Sequence, residues 1–427
     1  MGNANLRTPP TPANMKGFHW ARSLAAIPSI FGSILMIQHI LRSRKRRSRT
    51  ISRVLLGMSS NDLIFAICAV FGTLFNPKGV YPDWMNPYAS GTWKTCEASG
   101  FLLQLSSTSS VIYNGVLTLC YLLLLRFEWN DRQLKRIEPF LHILPPLIGI
   151  AMSSVSLAKE LYSPTGVACS IQEYPPGCLE SGNCIRGNHA HAYTLGLFFS
   201  WVWMVFVFIC TSMYLIYQSI ARREDRSRIY DFRRSIRKFR GNDTVTQKAE
   251  GESTNAEASN SRKQSLRFRF AMQSLFYCIV YFLTWIWGTI NVTVHKSKAV
   301  PHSYIPILYL LSIFEPLQGF LNMAVYFRPR YLAYRRKMED YRLRSSHLKS
   351  SGEKTSSSKT FRSPISAIRY AFAVTDQGNE DPDDVPSEDE MGQIGTREKN
   401  SGEQAKMTEL LGEEKQKDIE DEESGIW

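Results

Sequence analysis

Few residues in this chain could do chemistry inside an apolar setting, and they fall into three sets. The first is acidic: Asp62, Glu97 and Glu315 each lie within or at the end of a long apolar run. Carboxylates in a bilayer are costly and mark ion paths, proton relays or interhelical switches. Glu315, Gly319, Asn322 and Tyr326 recur at +4, +3 and +4, a stripe of about 60° on a continuous helix. Such a stripe must face protein or water, and Asn61 and Asp62 on another run are its natural partners, with Asn114 on a third. Either static polar glue or a rearranging network fits the spacing. The second set is Cys96, Cys169, Cys178 and Cys184, which allow three disulfide pairings; Cys68, Cys120, Cys210 and Cys278 fall inside apolar runs as packing residues. The third is His189 and His191, two nitrogen donors where a zinc site needs about four ligands. No HExxH, GxSxG or phosphate-binding loop occurs, so no enzyme is read here and no cofactor or metal.

The elements that must position these residues are seven apolar runs. They span Trp20–Leu41, Ile51–Phe75, Glu97–Leu125, Pro139–Ala158, Ala192–Ile220, Phe268–Val294 and Tyr304–Phe327. About 20 apolar residues cross a hydrocarbon core, so the expected fold is an all-α, seven-helix membrane bundle. The 427 residues are 44% hydrophobic, an average that hides a split. From Asp376 onward the net charge is −13, and the remainder carries +26. Basic clusters follow the first, third, fifth and seventh runs: Arg42–Arg49, Arg126–Arg136, Arg222–Arg240 and Arg328–Lys337. Lys and Arg stay cytoplasmic, which predicts an outside N-terminus, an inside C-terminus and no nucleic-acid role for the basic loops. No cleaved signal peptide is read before the first run. The four outward cysteines then lie in an oxidising compartment.

This organisation gives a short outer N-terminus (1–19), a bundle (20–327), a basic juxtamembrane segment able to form an amphipathic helix (328–344) and a Ser-rich, then acidic, disordered tail (345–427). Residues 242–260 read as a disordered insert between the fifth and sixth spans. Ser363, in Arg362-Ser363-Pro364, is a candidate phosphorylation site, where phosphate would reverse the local charge. From Arg222 to Arg240 no Pro or Gly interrupts, and Ile229, Phe232, Ile236 and Phe239 share one helical face. A basic helix extending the fifth span is expected there, to lie on anionic lipid or to dock a partner together with Arg126 and Arg132.

Several stretches resemble G-protein-coupled receptors, in particular the cyclic-AMP-receptor-like branch bordering the secretin-like receptors. They are Ser59-Ser60-Asn61-Asp62-Leu63, Cys96 to Gln104, Tyr113-Asn114, Cys169-Ser170-Ile171, Pro316 to Asn322 and Val325 to Tyr331. The likeness covers about residues 20 to 340. Rhodopsin-like signatures are missing: Leu125-Arg126-Phe127-Glu128 stands at the end of the third span, and Asn322-Met323-Ala324-Val325-Tyr326 lacks a proline. The resemblance implies a plasma-membrane receptor for an extracellular small-molecule or short-peptide ligand, a heterotrimeric G protein as partner, and kinases and arrestin-like proteins at the tail. It also implies a Cys96–Cys169 bridge, which leaves Cys178 with Cys184. The alternatives are a transporter or channel using Asp62 and Glu315, or a non-signalling scaffold.

Overall fold

The computed structural model describes the backbone of residues 11–80, 82, 86, 88–175, 178, 183–239, 247–296 and 305–350, and their side chains outside 223–267, 294–296, 337 and 340–350. All belong to one compact unit, Met1–Ser357; the other, Ser358–Trp427, lies outside the described residues, as does Ser363. Among the described residues, six helices are long and apolar enough to cross a membrane, and a bent pair makes the seventh. The chain is therefore a multi-pass membrane protein with a seven-helix bundle.

Span 1 is one helix, Pro12–Arg42. It starts eight residues before the expected apolar run, because Thr11 caps Asn14 N–H (3.3 Å) and Pro12 is preset for a first turn. One turn, Arg44–Arg47, leads to span 2, Thr50–Phe71. Span 3, Trp93–Arg126, opens on a capping box of Thr92 and Thr95. Span 4, Asp131–Ala158, opens on another, Asn130 with Gln133, so its first two turns lie before the expected start at Pro139. Span 5 enters through Ala190–Thr194 and a π-helical turn, Leu195–Phe199, then runs Ser200–Phe239. Span 6 is Gln247–Lys296. Span 7 is broken into limb 7a, Ile305–Phe314, and limb 7b, Gln318–Ser350, bent by 53°.

Two expectations of disorder change here. Of the insert 242–260, residues from Gln247 on are helical, and limb 7b continues six residues into the segment expected as tail. The physical reason is cooperativity: an anchored apolar helix is already nucleated, and good helix formers such as Gln247, Lys248, Ala249 and Glu250 extend it. Residues 242–246 and 351–427 lie outside the described residues.

Span 3 is the axis of the bundle, buried along most of its length and touching spans 2, 4, 5 and 6. Span 1 lies against span 2 and both limbs of span 7. Toward the basic loops, Met36, Val54, Met58, Leu117 and Tyr121 form the main apolar cluster. Lipid is as apolar as these side chains, so close packing and interhelical hydrogen bonds hold the spans together. Pro146 illustrates the second. It lacks the N–H that would bond His142 O, and Tyr113 Oη–H reaches that carbonyl at 3.5 Å. Gly319 illustrates the first: a Cβ there would meet Ser33 Oγ at 2.5 Å, so only glycine lets spans 1 and 7 approach this closely.

At the end opposite the basic loops, a two-stranded hairpin, β1 (Tyr162–Pro164) and β2 (Cys169–Ile171), plugs the bundle. Tyr162 is buried, donates its hydroxyl to Gln104 Oε1 (2.7 Å) on span 3 and lies 3.2 Å from Ser153 O on span 4. Cys96–Cys169 ties the hairpin to span 3 with Cα atoms 5.4 Å apart, and Cys178–Cys184 closes a short loop.

Candidate functional site

The buried polar centre is built on Asp62 of span 2, which is 4% exposed. Its Oδ1 accepts from Ser110 Oγ–H of span 3 at 2.6 Å, and its Oδ2 accepts from Asn322 Nδ2–H of limb 7b at 2.8 Å. Gln318 Nε2–H donates to Ser110 Oγ at 2.9 Å. Gln318, Ser110, Asp62 and Asn322 are thus one hydrogen-bond chain joining three spans. Beside it is a small cavity lined by Asp62, Phe65, Ser110, Trp285, Pro316 and Gln318, with room for about one water. Asn322 Oδ1 and Trp285 Nε1 are buried with no hydrogen-bond partner among the described residues. The centre can hold a buried carboxylate between fixed donors and couple the positions of spans 2, 3 and 7.

Three sequence expectations separate from this centre. Glu315 is not part of it. Pro316 breaks the helix, so the stripe drawn on a continuous span does not hold across Glu315–Leu317, and Glu315 Oε2 pairs instead with Arg22 Nη1 of span 1 at 2.7 Å. Tyr326 lies four residues beyond Asn322 and meets His39 Nδ1 at 3.1 Å, with the Arg330 guanidinium 5.3 Å from its ring. Asn61 and Asn114 bond within their own helices, to Gly57 O (2.8 Å) and Ser110 O (2.9 Å), rather than across spans. Among the described residues, Asp62 and Asn322 are the two of the six expected network residues seen hydrogen-bonded to each other.

The residues missed carry readable signals. Ser110 ends the run Ser106-Ser107-Thr108-Ser109-Ser110, a polar patch inside an apolar span. Gln318 sits four residues before Asn322. Arg22, with Phe65 beneath its guanidinium at 5.7 Å, is the cation inside the first expected apolar run, Trp20–Leu41. Glu138 falls one residue outside the expected fourth run and forms an ion pair with Arg53 of span 2.

At the hairpin end, Glu97 pairs with Arg186, whose guanidinium lies 4.9 Å from the Trp93 ring centroid. His191 Nε2 faces Val292 O at 3.4 Å, and among the described residues no three His, Cys, Asp or Glu side chains come together as a metal site. At the basic end Arg126 and Arg132 are exposed. Ile229, Phe232, Ile236 and Phe239 lie in the helix Ser200–Phe239, a continuous extension of span 5; their side chains are outside the described set.

No family model matches the chain, and no curated protein matches it. Among solved structures it is similar to the crystal structure of squid rhodopsin, at 11% identity and a TM-score of 0.51, over 77% of this chain and 87% of that one. At that identity the likeness concerns the fold alone, a seven-helix bundle shared over most of both chains.

Proposed function

We propose that this chain is a seven-span receptor that binds an extracellular small molecule or short peptide and activates a heterotrimeric G protein. The observation that carries this is the combination of a rhodopsin-like seven-helix fold with a buried hydrogen-bond chain linking spans 2, 3 and 7. A carboxylate held between donors on different helices favours one packing of those helices, and a ligand that prefers another packing shifts the population. The finer affinity is with the cyclic-AMP-receptor-like branch, on the stretches Ser59–Leu63 and Pro316–Tyr331. That affinity leaves the ligand unassigned, because binding sites are grafted onto folds.

The proposed orientation puts the N-terminus and the disulfide hairpin outside the plasma membrane and the basic loops inside. Arg126, Arg132 and the apolar face of Ile229, Phe232, Ile236 and Phe239 then form the G-protein face, with anionic lipid beside it. Ser363 and the Ser-rich tail would serve kinases and arrestin-like proteins.

The test is nucleotide exchange on purified heterotrimeric G proteins by the full chain in lipid nanodiscs, screened against small-molecule and peptide libraries. Failure of every G-protein class to respond to a ligand that demonstrably binds would end the receptor proposal. One observation favours a transporter instead: span 7 is broken beside two carboxylates, as in discontinuous transporter helices. Transporters pair such breaks between repeats, and among the described residues span 7 is the one bent pair. Substrate flux in liposomes decides between them.

A further inference from the structure

The break in span 7 has the makings of a hinge. Pro316 offers no N–H to Ser312 O, and it disfavours helical backbone at Glu315. Backbone bonds stop on either side of it: Glu315 N–H still reaches Leu311 O (3.2 Å), and Leu321 N–H starts again at Leu317 O (3.1 Å). Between these the two limbs, bent by 53°, share little backbone hydrogen bonding.

Span 1 bridges that gap from outside. It is a continuous helix, about 46 Å long at 1.5 Å per residue. The Phe18 ring lies 4.5 Å from that of Tyr309 on limb 7a. Arg22 holds Glu315 inside the break at 2.7 Å. Ser29 Oγ accepts Phe320 N–H at 3.1 Å, satisfying a first-turn donor of limb 7b. A Cβ on Gly32 would come within 3.1 Å of Phe320 Cα, so the backbones are close there. His39 meets Tyr326 further along the same helix. These positions recur at helical spacing on one face of span 1.

We propose that span 1 is a splint for a hinge in span 7, and that the Arg22–Glu315 ion pair is the latch that sets its bend. Packing alone could hold two limbs against a neighbouring helix, and charges within a span are costly to retain. The pair sits where span 7 has surrendered its own hydrogen bonds. It is also releasable: Arg22 Nε is buried with no hydrogen-bond partner among the described residues, so a polar group or water entering there competes for the guanidinium. Release has a direct route inward. Phe65 lies beneath the Arg22 guanidinium and also lines the cavity beside Asp62, and Pro316 lines the same cavity. A change of bend therefore reshapes the wall of the buried polar centre.

The experiment uses the full chain in lipid nanodiscs with no ligand and no G protein, so its outcome is independent of the receptor proposal. Backbone amide exchange is followed by mass spectrometry in peptides covering 305–321 and, as a control for global opening, in the hairpin 162–171. Arg22→Glu and Glu315→Arg, each alone, should speed exchange in 305–321 by at least about tenfold, a discounted value because the pair is only partly buried. The double reversal should return it to within about threefold of the unaltered chain, with the hairpin unchanged throughout. Unchanged rates in the single variants, or a double variant as fast as either single, overturn the proposal. Should the reversals open the hairpin as well, Glu315→Gln is read in the same peptides. Faster exchange in 305–321 with a quiet hairpin supports the latch, and no change overturns it.

Discussion

Asn322→Ala isolates the cross-span bond to Asp62. Asp62 accepts two bonds on its side-chain carboxylate oxygens, 2.6 Å from Ser110 and 2.8 Å from Asn322. In soluble proteins such a bond contributes about 1.5–3 kcal/mol. Between membrane helices the measured couplings average about 0.6 and reach about 1.7 kcal/mol, because the dissociated helices find other partners. Asp62 is buried and its bond to Asn322 is short, so the upper end applies: a coupling of about 1.5 kcal/mol, or slightly more than tenfold in the unfolding constant. The assay is a double-mutant cycle of Asp62→Ala and Asn322→Ala, read by detergent-driven unfolding in mixed micelles. Asn322→Ala should be costly while Asp62 is present, and close to neutral, apart from lost packing, in the Asp62→Ala background. Additivity within about 0.5 kcal/mol would refute the bond as an energetic link between spans 2 and 7.

Further outcomes are expected. Cys96→Ser should destabilise the chain by about 4 kcal/mol and Cys178→Ser by about 2, from loop closures of 73 and 6 residues, measured by thermal unfolding with surface expression alongside. Non-reducing peptide mapping that linked Cys96 to Cys184 would reject that assignment. Tyr162→Phe should lower stability by about 1–3 kcal/mol by stranding Gln104 Oε1, and Tyr162→Phe with Gln104→Leu should recover most of it in the same unfolding assay. Replacing Ile229, Phe232, Ile236 and Phe239 with Ser should abolish G-protein nucleotide exchange while ligand binding persists; intact exchange would leave these residues only a membrane role. Asn322→Ala should alter that exchange more than surface abundance if the polar centre switches, whereas equal loss of both favours static glue.

The seven spans, their polar interruptions and the helical extension of span 5 were legible because lipid imposes length and hydropathy on every crossing element. The site was legible only at Asp62 and Asn322. Glu315 shows why: its place was drawn on an uninterrupted helix, and Pro316 rotates everything before it away from the stripe. The proline was visible, but the size of the bend depends on what braces it, and Arg22, Ser29 and Phe18 lie about 300 residues away in sequence. Asn61 and Asn114 show a second limit. An amide in a helix can turn to a carbonyl four residues back, and both do, which no spacing rule distinguishes from a cross-helix bond. The extent of helix beyond the bilayer was underestimated because composition reports whether a segment can fold alone, not whether an existing helix will carry it.

The habit of returning a hydroxyl to its own helix has a consequence for how this sequence can change over time. Ser59, Ser60, Ser106, Thr118, Ser156, Thr284 and Thr289 all donate to the carbonyl four residues before them. Each is thereby neutralised locally and acts toward its neighbours as a small, nearly apolar side chain. At the serines, Ala or Cys can stand in at little cost, because each is close to serine in size and no bond to another helix is lost. Most interior positions of such a bundle constrain size rather than identity, so one architecture is compatible with sequences as unlike as the 11% identity seen against squid rhodopsin. The positions resistant to drift should be the few whose polar atoms reach another helix. In a saturation library sorted for folded protein, Asp62, Ser110, Asn322, Arg22, Glu315 and Tyr162 should tolerate far fewer substitutions than the buried serines on either side of them.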